Sequence, residues 1–167
     1  MSTTFYTLKK FTSDEKTKLH SAVDGNDIIT VTNICNDHEK EEIGHRAGGW
    51  MFSWNPFHSC LKSISKQSII DLVYNDDIII IDEYNTVLDK GEFLDMSFNW
   101  CPDGLTSNTY RDKYPEESYS YIVAYYYQRD GIKICKERYD FDLKSLITND
   151  YQTDFIYDGL RWTLLTL

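Results

Sequence analysis

Apolar positions along the chain change their spacing several times, and each change marks an expected element. Phe5 to Phe11 alternates apolar and polar residues and predicts an opening strand. Thr12-Ser13-Asp14-Glu15 is a cap-like polar start, so a short helix is expected over Glu15 to His20. Past the turn at Asp24-Gly25-Asn26-Asp27, the β-branched run Ile28 to Ile34 predicts a second strand. Cys35 to Glu42 is polar and reads as a surface loop. Gly48-Gly49 reads as a tight entry into a strand over Trp50 to Trp54, with the three aromatics at even positions on one face. Asn55-Pro56 ends that strand, because proline has no N–H for the ladder.

The chain then turns through Leu61 to Lys66. Ser65 is placed to cap a helix over Lys66 to Tyr74, with Ile69, Ile70 and Val73 on one face. Asn75-Asp76-Asp77 breaks it. The four isoleucines Ile78 to Ile81 predict a strand buried on both faces and central in its sheet. Asp89 caps a helix from Lys90 to about Phe98, whose inward face is Phe93, Leu94 and Phe98, with Met96 nearby. Residues 99–117 read as a long irregular loop, marked by Pro102-Asp103-Gly104 and Tyr114-Pro115. Tyr119 to Gln128 and Ile132 to Tyr139 read as two strands of a hairpin turning at Arg129-Asp130-Gly131. Asp142 would cap a short helix through Ile147. Asp150 to Asp158 is polar and aromatic, and Trp162 to Leu167 is an apolar final strand. The sum is a single α+β domain over residues 1–167, with an antiparallel or mixed sheet of about five to seven strands and two or three short helices.

Ile43-Gly44-His45-Arg46-Ala47-Gly48-Gly49-Trp50-Met51-Phe52 resembles the H-I-G-K-[SR]-[SA]-x-G-W-x-F signature of a family of small phage-encoded proteins. That family's D-E-Y-G segment and following short helix have counterparts in Asp82-Glu83-Tyr84-Asn85 and Gly91-Glu92-Phe93, so the similarity spans 35–98. Glu42 stands at the signature's leading His and His45 at its Lys. The family's C-x-x-C pair is Cys35-Asn36-Asp37-His38 here. The resemblance implies a viral setting, in bacteriophage, and the host cytoplasm.

Composition narrows the function. A hydrophobic fraction of 41% with 15% aromatic residues is ample for a packed core in 167 residues. The net charge of −10 argues against gripping a phosphate backbone and for a partner with a basic surface. No run reaches the roughly 20 apolar residues of a membrane span, and Met1 to Phe11 lacks the apolar core of a secretory signal. A cytoplasmic protein with reduced cysteines is the expectation. The sequence carries no phosphate loop, dinucleotide glycine pattern or nucleophile elbow, and no cofactor is expected.

Three sets of candidate residues remain. Trp100, Tyr110, Arg111, Asp112, Tyr114, Glu116 and Glu117 have the mixture of a protein-contact surface and would serve a non-enzymatic phage protein that binds and inhibits a host protein in a defence or nucleic-acid-handling complex. Alternatively, His45, Arg46 and His58 would hold a nucleotide's phosphate, with Asp82 or Glu83 as base, in a nucleotide-binding protein or hydrolase. Cys35, His38, His58 and Cys60 are the residues that a structural zinc would use.

Overall fold

A computed structural model describes residues 2–117 and 120–167. The chain runs β1 (Ser2–Lys9), α1 (Ser13–Asp24), α2 (Ile28–Asn36), β2 (Glu41–Ala47), β3 (Ser53–Trp54), α3 (Lys66–Val73), β4 (Ile78–Asp82), α4 (Lys90–Phe98), α5 (Ser107–Lys113), α6 (Tyr121–Tyr139), β5 (Asp154–Tyr157) and β6 (Leu160–Thr163). Three short 3-10 turns follow α5, α6 and β6. The architecture is α+β, as expected. Its six-stranded sheet has the order β4-β1-β2-β3-β6-β5, and it is mixed because β3 pairs β6 in parallel while the other pairs are antiparallel. The described α-helices number six, more than the two or three expected.

Helix starts follow side-chain chemistry closely. Thr12 and Glu15 form a reciprocal capping box at α1, which then runs past His20 to Asp24. Ser65 accepts from Ser68 N–H at the start of α3, and Asp89 from Glu92 N–H at the start of α4. Ile69 and Val73 of α3 and Phe93 and Leu94 of α4 enter the core. There they meet Phe5, Ile43, Trp54, Phe155 and Trp162 from the sheet and Phe52 just before β3.

Two expected strand regions are helices. Ile28 to Ile34 lies in α2, because the Asp27 carboxylate accepts from both the backbone N–H (3.1 Å) and the hydroxyl (2.6 Å) of Thr30. Preference for a strand depends on neighbours that receive the side chains. Here Ile28 and Ile29 stay 74% and 76% exposed, so no described neighbour receives them. The hairpin expected over 119–139 is the continuous helix α6, while Tyr119 lies outside the described residues. Its buried positions Ala124, Gly131 and Cys135 follow helical spacing. Gly131 is a packing residue, not a turn: a Cβ there would stand 2.8 Å from Leu164 Cδ2. The two-residue Asp-Gly hairpin turn occurs instead at Asp158-Gly159. Both residues have positive φ (51° and 71°), as the turn joining β5 to β6 requires.

Smaller departures have local causes. Trp50 to Trp54 is not one strand. Phe52 and Trp54 share the core, with centroids 4.5 Å apart, but Trp50 bridges to Leu105 and leaves that face. The part of the signature from Ile43 to Ala47 forms β2 instead. The isoleucine strand exists as β4, yet it is an edge strand. The returning chain shields its outer side, through Leu88 N–H to Ile80 O (2.9 Å) and a bridge between Ile81 and Val87. Residues 99–117 contain α5, capped by Thr106. Asp142 makes no capping bond, and only a 3-10 turn over Leu143–Leu146 follows it. Asp154–Tyr157 is a strand that the polar composition concealed, and the final strand is Leu160–Thr163. No described helix is long and apolar enough to cross a membrane.

Candidate functional site

Pairing of β2, β3 and β6 sets His45, Ser53 and Arg161 side by side across three strands, and register partners share one face of a sheet. Arg161 is only 7% exposed and Asp154, diagonal to it on β5, is 2% exposed. Arg161 Nε donates to Asp154 Oδ2 at 2.5 Å, and Arg161 Nη1 donates to Met51 O at 3.1 Å. Ser107, at the start of α5, adds its backbone N–H (2.9 Å) and its hydroxyl to the same carboxylate. A buried ion pair is stable only with such additional hydrogen bonds. This one fixes α5 to the sheet. Asn149 Nδ2 donates to Asn108 Oδ1 (2.6 Å) and secures the first turn of α5 from the other side.

A cavity of about 390 Å³ opens above this pair, lined mainly by His45, Trp50, Tyr110, Arg111, Tyr151 and Arg161, with Glu117 also contributing. The Arg161 guanidinium lies 4.9 Å from the Trp50 ring centre, and Trp50 stacks on Tyr110 at 5.1 Å and 29°. The Arg111 guanidinium lies 5.0 Å above Tyr151. No described carboxylate forms an ion pair with Arg111. A guanidinium held over a ring with no carboxylate partner keeps N–H groups free for bonds to an oxyanion. The Tyr110 hydroxyl donates to Glu117, which pushes the phenol above its ordinary pKa. His45 Nδ1 faces Glu42 Oε1 at 3.2 Å, and its Nε2 has no described partner. Ser53 Oγ, between His45 and Arg161 in the row, is buried with no partner among the described residues.

No protein-family model matches the chain, nor does any curated protein or solved structure. The chemistry therefore rests on the geometry.

The cavity draws members from two of the expected sets. His45 came from the nucleotide set, and Tyr110, Arg111 and Glu117 from the protein-contact set. The Tyr114 ring packs against Tyr110 in a tilted pair at 4.9 Å and is 40% exposed, and Asp112 and Glu116 are exposed beside it. Trp100 is half-buried. Its Nε1–H donates to Ala47 O (3.2 Å) and its ring carries the Arg46 guanidinium at 4.8 Å. Arg46 thus stands on the other face of β2 from His45 and lies outside the cavity.

The remaining nucleotide candidates are structural. His58 is buried. Cys60 N–H donates to its Nδ1 (3.1 Å), so the ring proton sits on Nε2 and goes to Thr7 Oγ1 at 2.7 Å. Burial holds its pKa below the ordinary histidine value, against the opposing pull of Glu41. Asp82 accepts from the backbone N–H groups of Tyr84 and Thr86, both at 2.9 Å, and so anchors a turn. With Glu83 it lies at the far edge of the sheet from β6. The zinc set does not converge: no group of three or more described His, Cys, Asp or Glu side chains could hold a metal. His38 has both nitrogens engaged, Nδ1 with Lys9 O (2.6 Å) and Nε2 with Glu15 (2.7 Å). Cys35 is exposed.

Trp50, Ser107, Tyr151, Asp154 and Arg161 were not anticipated as site residues. The one trace in the sequence is Arg161 itself, a lone charge inside the apolar Leu160-Arg161-Trp162 segment.

Proposed function

We propose that the chain is a binding protein whose working part is this cavity, and that its ligand is a small organic anion. The observation that carries the reading is the Arg111 guanidinium, held over the Tyr151 ring with no described carboxylate partner, beside the paired Arg161 at one opening in a chain of net charge −10. Two of the three rings already carry a guanidinium, so a cationic ligand would meet like charge. A cavity of about 390 Å³ is at the small end of the ligand-pocket range of about 300–1,000 Å³. Binding is favoured over catalysis because the Ser107 hydroxyl is committed to Asp154, a carboxylate that Arg161 and the Ser107 N–H already hold as a structural ion pair. Thermal-shift screening against organic phosphates and carboxylates tests the reading. A salt-sensitive stabilisation that Arg111→Ala removes supports it, and a flat screen refutes it.

A second reading keeps the inhibitor of a host protein in a phage setting. It is favoured by the exposed rings of Tyr114, Tyr121, Tyr125 and Tyr126, with Asp112 and Glu116 beside Tyr114. Charge reversal at Asp112 and Glu116 should weaken capture of a basic host protein in a pull-down. Unchanged capture would end the electrostatic version.

A further inference from the structure

We infer that the anion is carried on a planar ring by way of a neutral, hydroxyl-bearing linker, as in a nucleoside monophosphate. The inference rests on the organic-anion reading above and deepens it. Three features of the cavity lead there.

The first is the lining. Trp50, Tyr110, Tyr151, Ala47 and Leu165 surround the arginines, so apolar surface outweighs polar surface. A bare phosphate would satisfy the guanidinium edges and leave those rings wet, whereas a ring attached to the anion removes both from water. Bases stack readily on aromatic side chains and on guanidinium planes, which every heterocyclic base can do through its π face.

The second is Glu117. A carboxylate in an anion site is unfavourable unless the ligand also brings neutral donors. Glu117 accepts from the Tyr110 hydroxyl and keeps lone pairs for more donors. Sugar hydroxyls or a ring amino group would serve. A second phosphate would add charge beside Glu117 without gaining another free arginine, since Arg161 is already engaged by Asp154.

The third is His45, which lines the cavity and whose Nε2 has no described partner. That is a polar position that a ligand group, or a water bridging to one, would complete.

Isothermal titration of the full chain tests this with four kinds of probe: inorganic phosphate, the common nucleosides, their monophosphates and their diphosphates. The expected result is that the tightest monophosphate binds at least tenfold more strongly than phosphate and than its own nucleoside, and more strongly than its diphosphate. Arg111→Ala should reduce that monophosphate to about the level of the nucleoside. Tyr151→Leu removes both the ring surface and the support under Arg111, and should weaken the monophosphate by a larger factor than it weakens phosphate. A monophosphate no tighter than inorganic phosphate would overturn the ring while the anion site stands. A nucleoside as tight as its monophosphate would overturn the anion site and this inference with it. No binding by any probe would overturn both. A diphosphate tighter than the monophosphate would refute the role given to Glu117.

Discussion

His45 and His58 stand in polar clusters built from nearly the same side chains, yet one cluster is open and the other closed. Around His58 are Glu41, Arg138, Ser59 and Tyr139, and protein groups occupy each polar position. Arg138 donates to Phe57 O (2.9 Å) and His58 O (2.5 Å), and the Tyr139 hydroxyl donates to Pro56 O (2.9 Å). Ser59 gives both N–H (2.6 Å) and hydroxyl (2.5 Å) to Glu41. That cluster clamps the loop after β3 to the end of α6. Around His45 are Glu42, Arg111, Arg161, Ser53 and Tyr110, and there Arg111, Ser53 Oγ and His45 Nε2 are left without described hydrogen-bonding partners. A cluster's residue types do not tell a site from a clamp. What separates them is whether the backbone has already used the donors.

The comparison breaks most visibly at the buried pair under the open cluster. Asp154→Ala leaves Arg161 unpaired at 7% exposure and should cost about 3–5 kcal/mol in urea unfolding. A loss below about 1 kcal/mol would show that Arg161 reaches water instead. In the closed cluster, Arg138→Ala strips donors from the carbonyls of Phe57 and His58 and should cost about 1–3 kcal/mol. Ligand affinity should stay within about twofold of wild type in that variant. A parallel loss of affinity would join the two clusters into one functional unit.

Acid sharpens the contrast further. His58 has a pKa below its unfolded value of about 6.5, so the native state binds fewer protons than the unfolded state between the two values. Its stabilisation is full above about pH 6.5 and is lost as pH falls through the native value. His38, doubly hydrogen-bonded to Glu15 and Lys9 O, has a raised pKa and acts oppositely: its contribution is present below about pH 6.5 and fades as pH rises through the native value. Unfolding measured from pH 5 to 7.5 should gain a steeper upward slope in His38→Gln and lose it in His58→Gln. Parallel profiles in both variants would contradict these assignments. The smallest stability effect belongs to Arg111→Ala, which should change unfolding by no more than about 0.5 kcal/mol because its guanidinium holds no described carboxylate.

Local chemistry was readable and long-range pairing was not. The caps at Thr12, Ser65 and Asp89 act through a backbone N–H three residues on, so the sequence shows both partners at once. Ile28 to Ile34 and Tyr121 to Tyr139 misled because β-branched and aromatic residues favour strands only where a sheet receives them. Asp130-Gly131 and Asp158-Gly159 are the same dipeptide. Only the second forms a hairpin turn, because Gly131 is needed as space for Leu164. Within the site, His45, Tyr110, Arg111 and Glu117 were each recognisable as functional types but fell into separate groups. Their convergence depends on the parallel β3–β6 pair and on the Trp50–Leu105 bridge, which join segments far apart in the chain. Asp154 and Arg161 become partners only once the β5–β6 hairpin is formed.

The central claim is that the open cluster holds an organic anion through Arg111. The most direct measurement is titration of phenyl phosphate into wild type, Arg111→Ala and Arg138→Ala under identical low-salt conditions. Saturable binding in wild type and Arg138→Ala, reduced about tenfold or more in Arg111→Ala, is the predicted result, since one charged hydrogen bond contributes about 1.5–3 kcal/mol. Equal affinity in wild type and Arg111→Ala, or a loss confined to Arg138→Ala, would contradict it.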